Sequence, residues 1–316
     1  VTLTEKTLEH FFVLIFLAGL AIFLRNRNVI RQQEQGVFAR LVTDFALPAL
    51  IFGSLSVEPF TLDGLLPALS ILTSISVVML VAWVLGRLLK LGKPVLGSVV
   101  LVAGVGSSST LGYAIIQNVY SNDPQVMRKV VTMGEFGVVL PLFTFGVMLA
   151  MFFGRDAENN HSFGAAFVRF LRTPVFAATV LGVLFSYIEL DRDNWIVNSL
   201  YELIGAIGAS MTVLVAFAVG LMLRPIEFRK LAPLILLVAG LKLVLEPLLA
   251  LAAGQAFALD PIERELLIIE AAMPSGTLAA IIAARYGCDS VVASSLVVAT
   301  YVLSLVALPL VFAFSL

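Results

Sequence analysis

The sequence predicts an all-α polytopic membrane protein: ten transmembrane helices arranged as two inverted five-helix repeats, with broken crossing helices 4 and 9. Three observations carry this. Apolar residues make up 60% of the chain and charged residues 13%, where soluble domains run near about 45–50% and about 25%. The apolar residues fall in blocks of roughly 20, the length that crosses a hydrocarbon core of about 30 Å. Two blocks, LGSVVLVAGVGSSSTLGYAIIQNV (Leu96–Val119) and ELLIIEAAMPSGTLAAIIAAR (Glu265–Arg285), are interrupted in the middle. Gly104, Gly106 and Ser107–Ser109 break the first, and Pro274-Ser275-Gly276 breaks the second. Hydrocarbon cannot satisfy the backbone groups that a break exposes, so both must be buried in protein or line a polar cavity.

In chain order the apolar blocks cover about 8–24, 37–56, 65–89, 95–119, 129–153, 164–188, 197–223, 231–253, 264–284 and 290–314. Turn-rich polar stretches such as Arg25–Gln35, Gly154–Ser162 and Asp191–Asn194 separate them, and no linker is long enough for a second soluble domain. Of the 20 Lys and Arg, fourteen fall on one side of the alternating loops, Arg25, Arg87, Arg155, Arg224 and Arg285 among them. Five fall on the other side, and Lys242 lies inside a span. The richer side is cytoplasmic by the positive-inside rule, which puts both termini outside.

Several features recur between the halves at an offset of 166–168 residues: Thr110-Leu111 with Thr277-Leu278, Tyr120 with Tyr286, Leu140 with Leu308, and Pro67 with Pro233. The repeats are residues 1–158 and 159–316. Five spans per repeat is odd, so the second copy enters the membrane upside down relative to the first. Inverted repeats with paired helix breaks are the pattern of secondary transporters, whose substrates bind at the breaks.

The expected substrate site is therefore Gly106, Ser107, Ser108, Ser109, Thr110, Pro274, Ser275, Gly276 and Thr277. Half-helix N-termini there suit an anion and carbonyl ends a cation. Charged residues within spans cost on the order of 2.5–3.5 kcal/mol each to insert, so each needs a reason. Glu270 lies four residues before Pro274, which has no N–H to donate to the Glu270 carbonyl. A free carbonyl beside a carboxylate predicts a site for a hard cation or a proton. Asp44 precedes Pro48 by the same four residues and is expected to face the substrate or receive a proton. Glu135 is expected one or two turns into the fifth span, close to the interface, and is a second candidate for cation or proton coupling. Lys242 and Glu246, at i and i+4, are expected to pair. Gln117 and Asn118 could line an exit path. His10 and His161 lack partners at metal-ligand spacing.

Net charge of −1 and the absence of a basic run exclude nucleic acid as a partner. The single cysteine, Cys288, excludes an intrachain disulfide. Glu5, Lys6 and Glu9 argue against a signal peptide. No nucleotide loop, nucleophile motif or covalent-cofactor motif appears, so no enzyme and no cofactor is predicted.

LVTDFALPALIFGSL (Leu41–Leu55), the glycines and serines of the first break, and EAAMPSGTLAAIIAARYGCD with a final span carrying LPLVF together resemble the auxin efflux carrier family of bacterial permeases and plant carriers. The resemblance covers essentially the whole chain. It implies the fold of the bile acid sodium symporters, with a scaffold domain (spans 1, 2, 6, 7) and a transport domain (spans 3–5, 8–10). It also implies a small organic anion as substrate (carboxylate or auxin-like acid), elevator-type movement, a homodimer formed through the scaffold, and a bacterial inner membrane. Pro274 matches the proline of the family's ninth-span break. Gly106-Ser107-Ser108 lacks the proline or asparagine of the plant pattern, so no particular substrate carries over. Glu270 and Met273, in a Glu-x-x-Met run, resemble the sodium ligands of the symporters. That makes Na⁺ one candidate coupling ion, against a proton or none. A ligand sensor using the same cleft without transport, a sodium-coupled bile-acid-type symporter and a passive channel are the competing readings.

Overall fold

The computed structural model describes residues 16–56, 65–112, 115–116, 120, 124–154, 168, 171–188, 194–222 and 228–315. Gln117, Asn118, His10 and His161 lie outside the described residues. Those described are mainly helical, with no strand among them and one isolated antiparallel bridge. Six helical runs are long and apolar enough to cross a membrane by length and composition: Gln32–Gly53, Leu65–Leu88, Thr132–Phe153, Trp195–Leu221, Arg229–Ala256 and Ser290–Val311. Shorter apolar helices are Phe16–Asn26, Lys93–Gly104 and Pro174–Ser186.

In order, these are α1 (Phe16–Asn26), α2 (Gln35–Leu41), α3 (Leu47–Leu55), α4 (Leu65–Leu88), α5 (Lys93–Gly104), α6 (Pro124–Gly134) and α7 (Val147–Phe153). Then follow α8 (Pro174–Ser186), α9 (Trp195–Ala209), α10 (Met211–Met222), α11 (Phe228–Gly240), α12 (Glu246–Ala256), α13 (Pro261–Ala272), α14 (Thr277–Arg285) and α15 (Ser290–Ser315). Local chemistry sets their ends. Asp260 caps α13 by accepting from the Glu263 N–H at 2.8 Å, and Pro261 occupies the first turn, where no N–H is needed. Gly287, at φ 84°, takes the left-handed turn after α14, and the Cys288 N–H returns to the Ala283 carbonyl at 2.8 Å.

Three helical runs pass through a wide π turn two residues before a proline. Val42–Ala46 precedes Pro48, Glu135–Val139 precedes Pro141, and Leu241–Leu245 precedes Pro247. Proline removes the N–H that the fourth residue back would have accepted, and the ladder steps to the fifth: Leu47 bonds Val42, Leu140 bonds Glu135, and Glu246 bonds Leu241. Asp44, Glu135 and Lys242 all lie in these turns.

Packing gathers the helices into two groups. In one, α3 lies against α8 and α9, and α2 against α10. Small residues allow this approach, as where a side chain at Gly182 would meet Leu55 and one at Gly220 the Ala18 carbonyl. In the other, α4 packs on α5, α12 and α13, and α15 on α5, α11 and α14. Helix α14 also touches α2 and α10 of the first group. Outside the spans, Lys129 bridges Asp260 at 2.7 Å and Glu263 at 2.9 Å, tying α6 to α13. The hydrogen bond to Asp260 raises the Lys129 pKa above its usual value.

Cys288, in the turn before α15, is buried and donates to the Ala150 carbonyl. Burial pushes its thiol pKa up to about 12, so the reactive thiolate is scarce at any working pH. The folded protein in membranes is expected to resist maleimide labelling at pH 7 and equally at pH 9, and to label fully after denaturation. Ready labelling of the native protein would contradict this packing.

Candidate functional site

The two breaks meet. Val105, Met273 and Gly276 have extended backbone, and Gly106 and Ser275 form an antiparallel bridge. The Ser107 N–H donates to the Pro274 carbonyl at 2.9 Å, and the Gly276 N–H donates to the Val105 carbonyl at 2.7 Å. Glycine is required at this contact: a Cβ on Gly276 would lie 2.7 Å from the Gly106 carbonyl oxygen. Ser107, Ser108 and Ser275 are buried at the crossing. The backbone of Ser109 and Thr110 continues in a π turn, Ser108–Gly112, and their side chains lie outside what is described.

Helix α15 ties down both strands with consecutive residues. The Tyr301 and Ser107 hydroxyls share a hydrogen bond of 2.7 Å, and the Thr300 hydroxyl oxygen accepts from the Ser275 N–H at 3.2 Å. Sequence reasoning missed both. Neutral hydroxyls in an apolar helix look like ordinary packing, and the only signal was an adjacent Thr-Tyr in the middle of VVATYVLSL. Tyr301 and Thr277 also line a cavity of about 270 Å³ whose other walls come from α1, α10 and α15.

Among the described residues the buried charged side chains are Glu135, Lys242, Glu246 and Glu270. Lys242 pairs with Glu246 at 2.5 Å, as the spacing predicts. Its ammonium also approaches Gly106, where an added Cβ would be 3.0 Å from Nζ. That places a cation at the C-terminal end of α5, where helix carbonyls carry partial negative charge. The Glu270 carboxylate lies against Gly112 and beside Ser108, at the start of the helix that resumes after the break. An N-terminal end attracts an anion, so each charge faces the helix end of opposite sign.

The structure corrects one expectation. The Glu270 carbonyl is not free: the Met273 N–H reaches it at 3.3 Å, because the helix tightens in its last turn before Pro274. Glu135 lies within one turn of the start of the Thr132–Phe153 run and is buried in its π turn, near enough to Glu270 to interact with it. Asp44 is placed away from the break. Its carboxylate is 3.2 Å from Arg285, the last residue of α14 and about 12 Å along that helix from Thr277.

Both Glu270 carboxylate oxygens and the Ser108 hydroxyl are buried with no hydrogen-bond partner among the described residues. The Ser108 hydroxyl is itself a donor beside the carboxylate, and the remaining carboxylate lone pairs fit a hard monovalent cation or an added proton. Met273, also buried, would join such a site through its carbonyl rather than its soft sulfur. No group of three or more His, Cys, Asp or Glu able to hold a metal occurs among the described residues.

Broken apolar helices that cross and bond at their breaks, with ionisable groups packed around them, define an integral membrane protein of the transporter class. The family described as membrane transport protein matches residues 7–312, and the chain belongs to it, the auxin efflux carrier family that its motifs resemble. It is also similar to an uncharacterized transporter of Methanothermobacter thermautotrophicus, 25% identical over 302 residues that cover 94% of each chain.

Removing one member of the buried Lys242–Glu246 pair strands the other. Lys242→Met or Glu246→Gln alone is expected to cost about 3–5 kcal/mol of stability, and Lys242→Met with Glu246→Leu far less than the sum. Thermal unfolding in detergent measures all three. Equal, additive losses would mean the pair is not coupled.

Proposed function

We propose that the chain is a secondary carrier that moves a small organic anion across the membrane by elevator-type alternating access. The described helices would belong to ten spans in two inverted repeats, 1–158 and 159–316. The group built on α2, α3 and α8–α10 would be a scaffold, through which two copies dimerise in a bacterial inner membrane with both termini outside. The group built on α4–α7 and α11–α15 would carry the cargo. The observation that carries this reading is the hydrogen-bonded pairing of the two breaks, where backbone ends of both signs converge beside Ser107, Ser275 and Thr277.

Coupling would act at Glu270. Lys242 and Glu246 offset one another, leaving Glu270 with its oxygens unpartnered and a charge that is costly at bilayer depth. A proton or a sodium ion at that carboxylate supplies the neutralisation that lets the cargo-bearing group cross. Without the ion the cargo-bearing group keeps an uncompensated carboxylate and stays in place, so movement of the cargo is tied to that of the ion.

Counterflow and gradient-driven uptake of organic acids in proteoliposomes test this. Uptake is expected to saturate and to depend on either a sodium or a proton gradient. Glu270→Gln is expected to lower gradient-driven uptake at least about tenfold while leaving thermal stability unchanged or higher, since it removes a buried charge. Non-saturating flux, or a Glu270→Gln variant still driven by the gradient, would refute the proposal.

A further inference from the structure

We infer that Arg285 is a binding site for the carboxylate of a small organic acid, at the mouth between α14 and α2, and that Asp44 is its resident occupant when no acid is bound. Helix α14 ends on Arg285, and the left-handed turn at Gly287 ends the helix there, beside the π turn that carries Asp44. The guanidinium reaches Asp44 through Nη2 alone, at 3.2 and 3.5 Å. Charge-assisted pairs held firmly run near about 2.7–2.9 Å and use two parallel bonds. Arg285 Nε, meanwhile, is buried and has no partner among the described residues. The guanidinium fork is thus half used.

The chemistry of the vacant half selects the ligand. Nε–H and Nη2–H on one edge of a guanidinium match the two oxygens of a carboxylate. Asp44 cannot take that edge from where Thr43, donating to its Oδ1 at 3.0 Å, and the π turn hold it. A mobile acid can. Both partners are partly exposed, with side-chain exposures of 34% for Arg285 and 40% for Asp44, so the resident pair is weakly held; Nε itself is covered, and a ligand reaches that edge as the pair opens. An arriving carboxylate therefore displaces Asp44, and the ion pair between α14 and the second-span elements opens as it binds. Arg285 lies about 12 Å from the break, so this is an entry site separate from the crossing itself. The role as an entry site rests on the carrier reading; the binding does not.

The test is thermal unfolding of the purified full chain with sodium acetate, benzoate or succinate against sodium chloride at equal ionic strength. At least one acid is expected to raise Tm in the wild type, since a ligand of the folded state stabilises it. Asp44→Asn removes the competitor and is expected to lower the half-effect concentration roughly two- to five-fold, the contribution of an exposed ion pair. Arg285→Gln should abolish the response, and Arg285→Lys, which keeps charge but loses the fork, should retain a weaker one. A response that survives Arg285→Gln, or is unchanged or weakened by Asp44→Asn, overturns the inference. So does silence towards all three acids in both wild type and Asp44→Asn. Stabilisation through Arg285 by added phosphatidylglycerol but by none of the acids would assign the site to lipid phosphate and also overturn it. Flux in liposomes is read separately: binding through Arg285 without transport would remove the carrier proposal and leave this site standing.

Discussion

A peptide group inside a bilayer must find its partner in protein, and that constraint organises this molecule. Each broken helix presents backbone N–H and C=O groups that lipid cannot satisfy, at a cost of several kcal/mol apiece. The solution is reciprocal. Ser107 donates to Pro274 and Gly276 to Val105, so each break completes the other, and neither is tolerable alone. Glycine at 276 permits the approach, and α15 fixes its geometry through Thr300 and Tyr301. A break stabilised this way keeps its helix ends aimed at a shared point, which a continuous helix cannot do.

The charges follow from the same ends. Lys242 meets the carbonyl end of α5, and Glu270 meets the amide end that follows the break. Neither belongs to the fourth span; they reach it from the eighth and ninth predicted spans, so the electrostatics of the crossing depends on both halves of the chain. The π turns contribute by geometry. Each proline shifts the hydrogen-bond ladder by one residue, and the widened turn places Asp44, Glu135 or Lys242 at that irregularity.

Much of this was legible in the sequence because its causes are local. Pro274-Ser275-Gly276 and Gly104 to Ser109 announce helix breaks through missing N–H groups and missing side chains, and the Lys242–Glu246 pair follows from spacing alone. What the sequence hid was mostly long-range. Nothing local links Arg285 to Asp44, 241 residues apart, or distinguishes Tyr301 from the apolar residues around it. The missing N–H of Pro274 is visible in the sequence, but the bond that replaces it, from the Met273 N–H to the Glu270 carbonyl, depends on the tightened turn and is not. The burial of Glu135 was likewise hidden, because the π turn and the neighbouring helices that cover it are not visible in the local sequence.

Amide hydrogen exchange at single-residue resolution tests the reciprocal bonding most directly. If the breaks complete each other, the Ser107 and Gly276 amides exchange as slowly as those in the middle of α13, despite lying in non-helical backbone. Exchange of either at the rate of an exposed loop would show that the strands are not bonded, and the account of the crossing would fail with them.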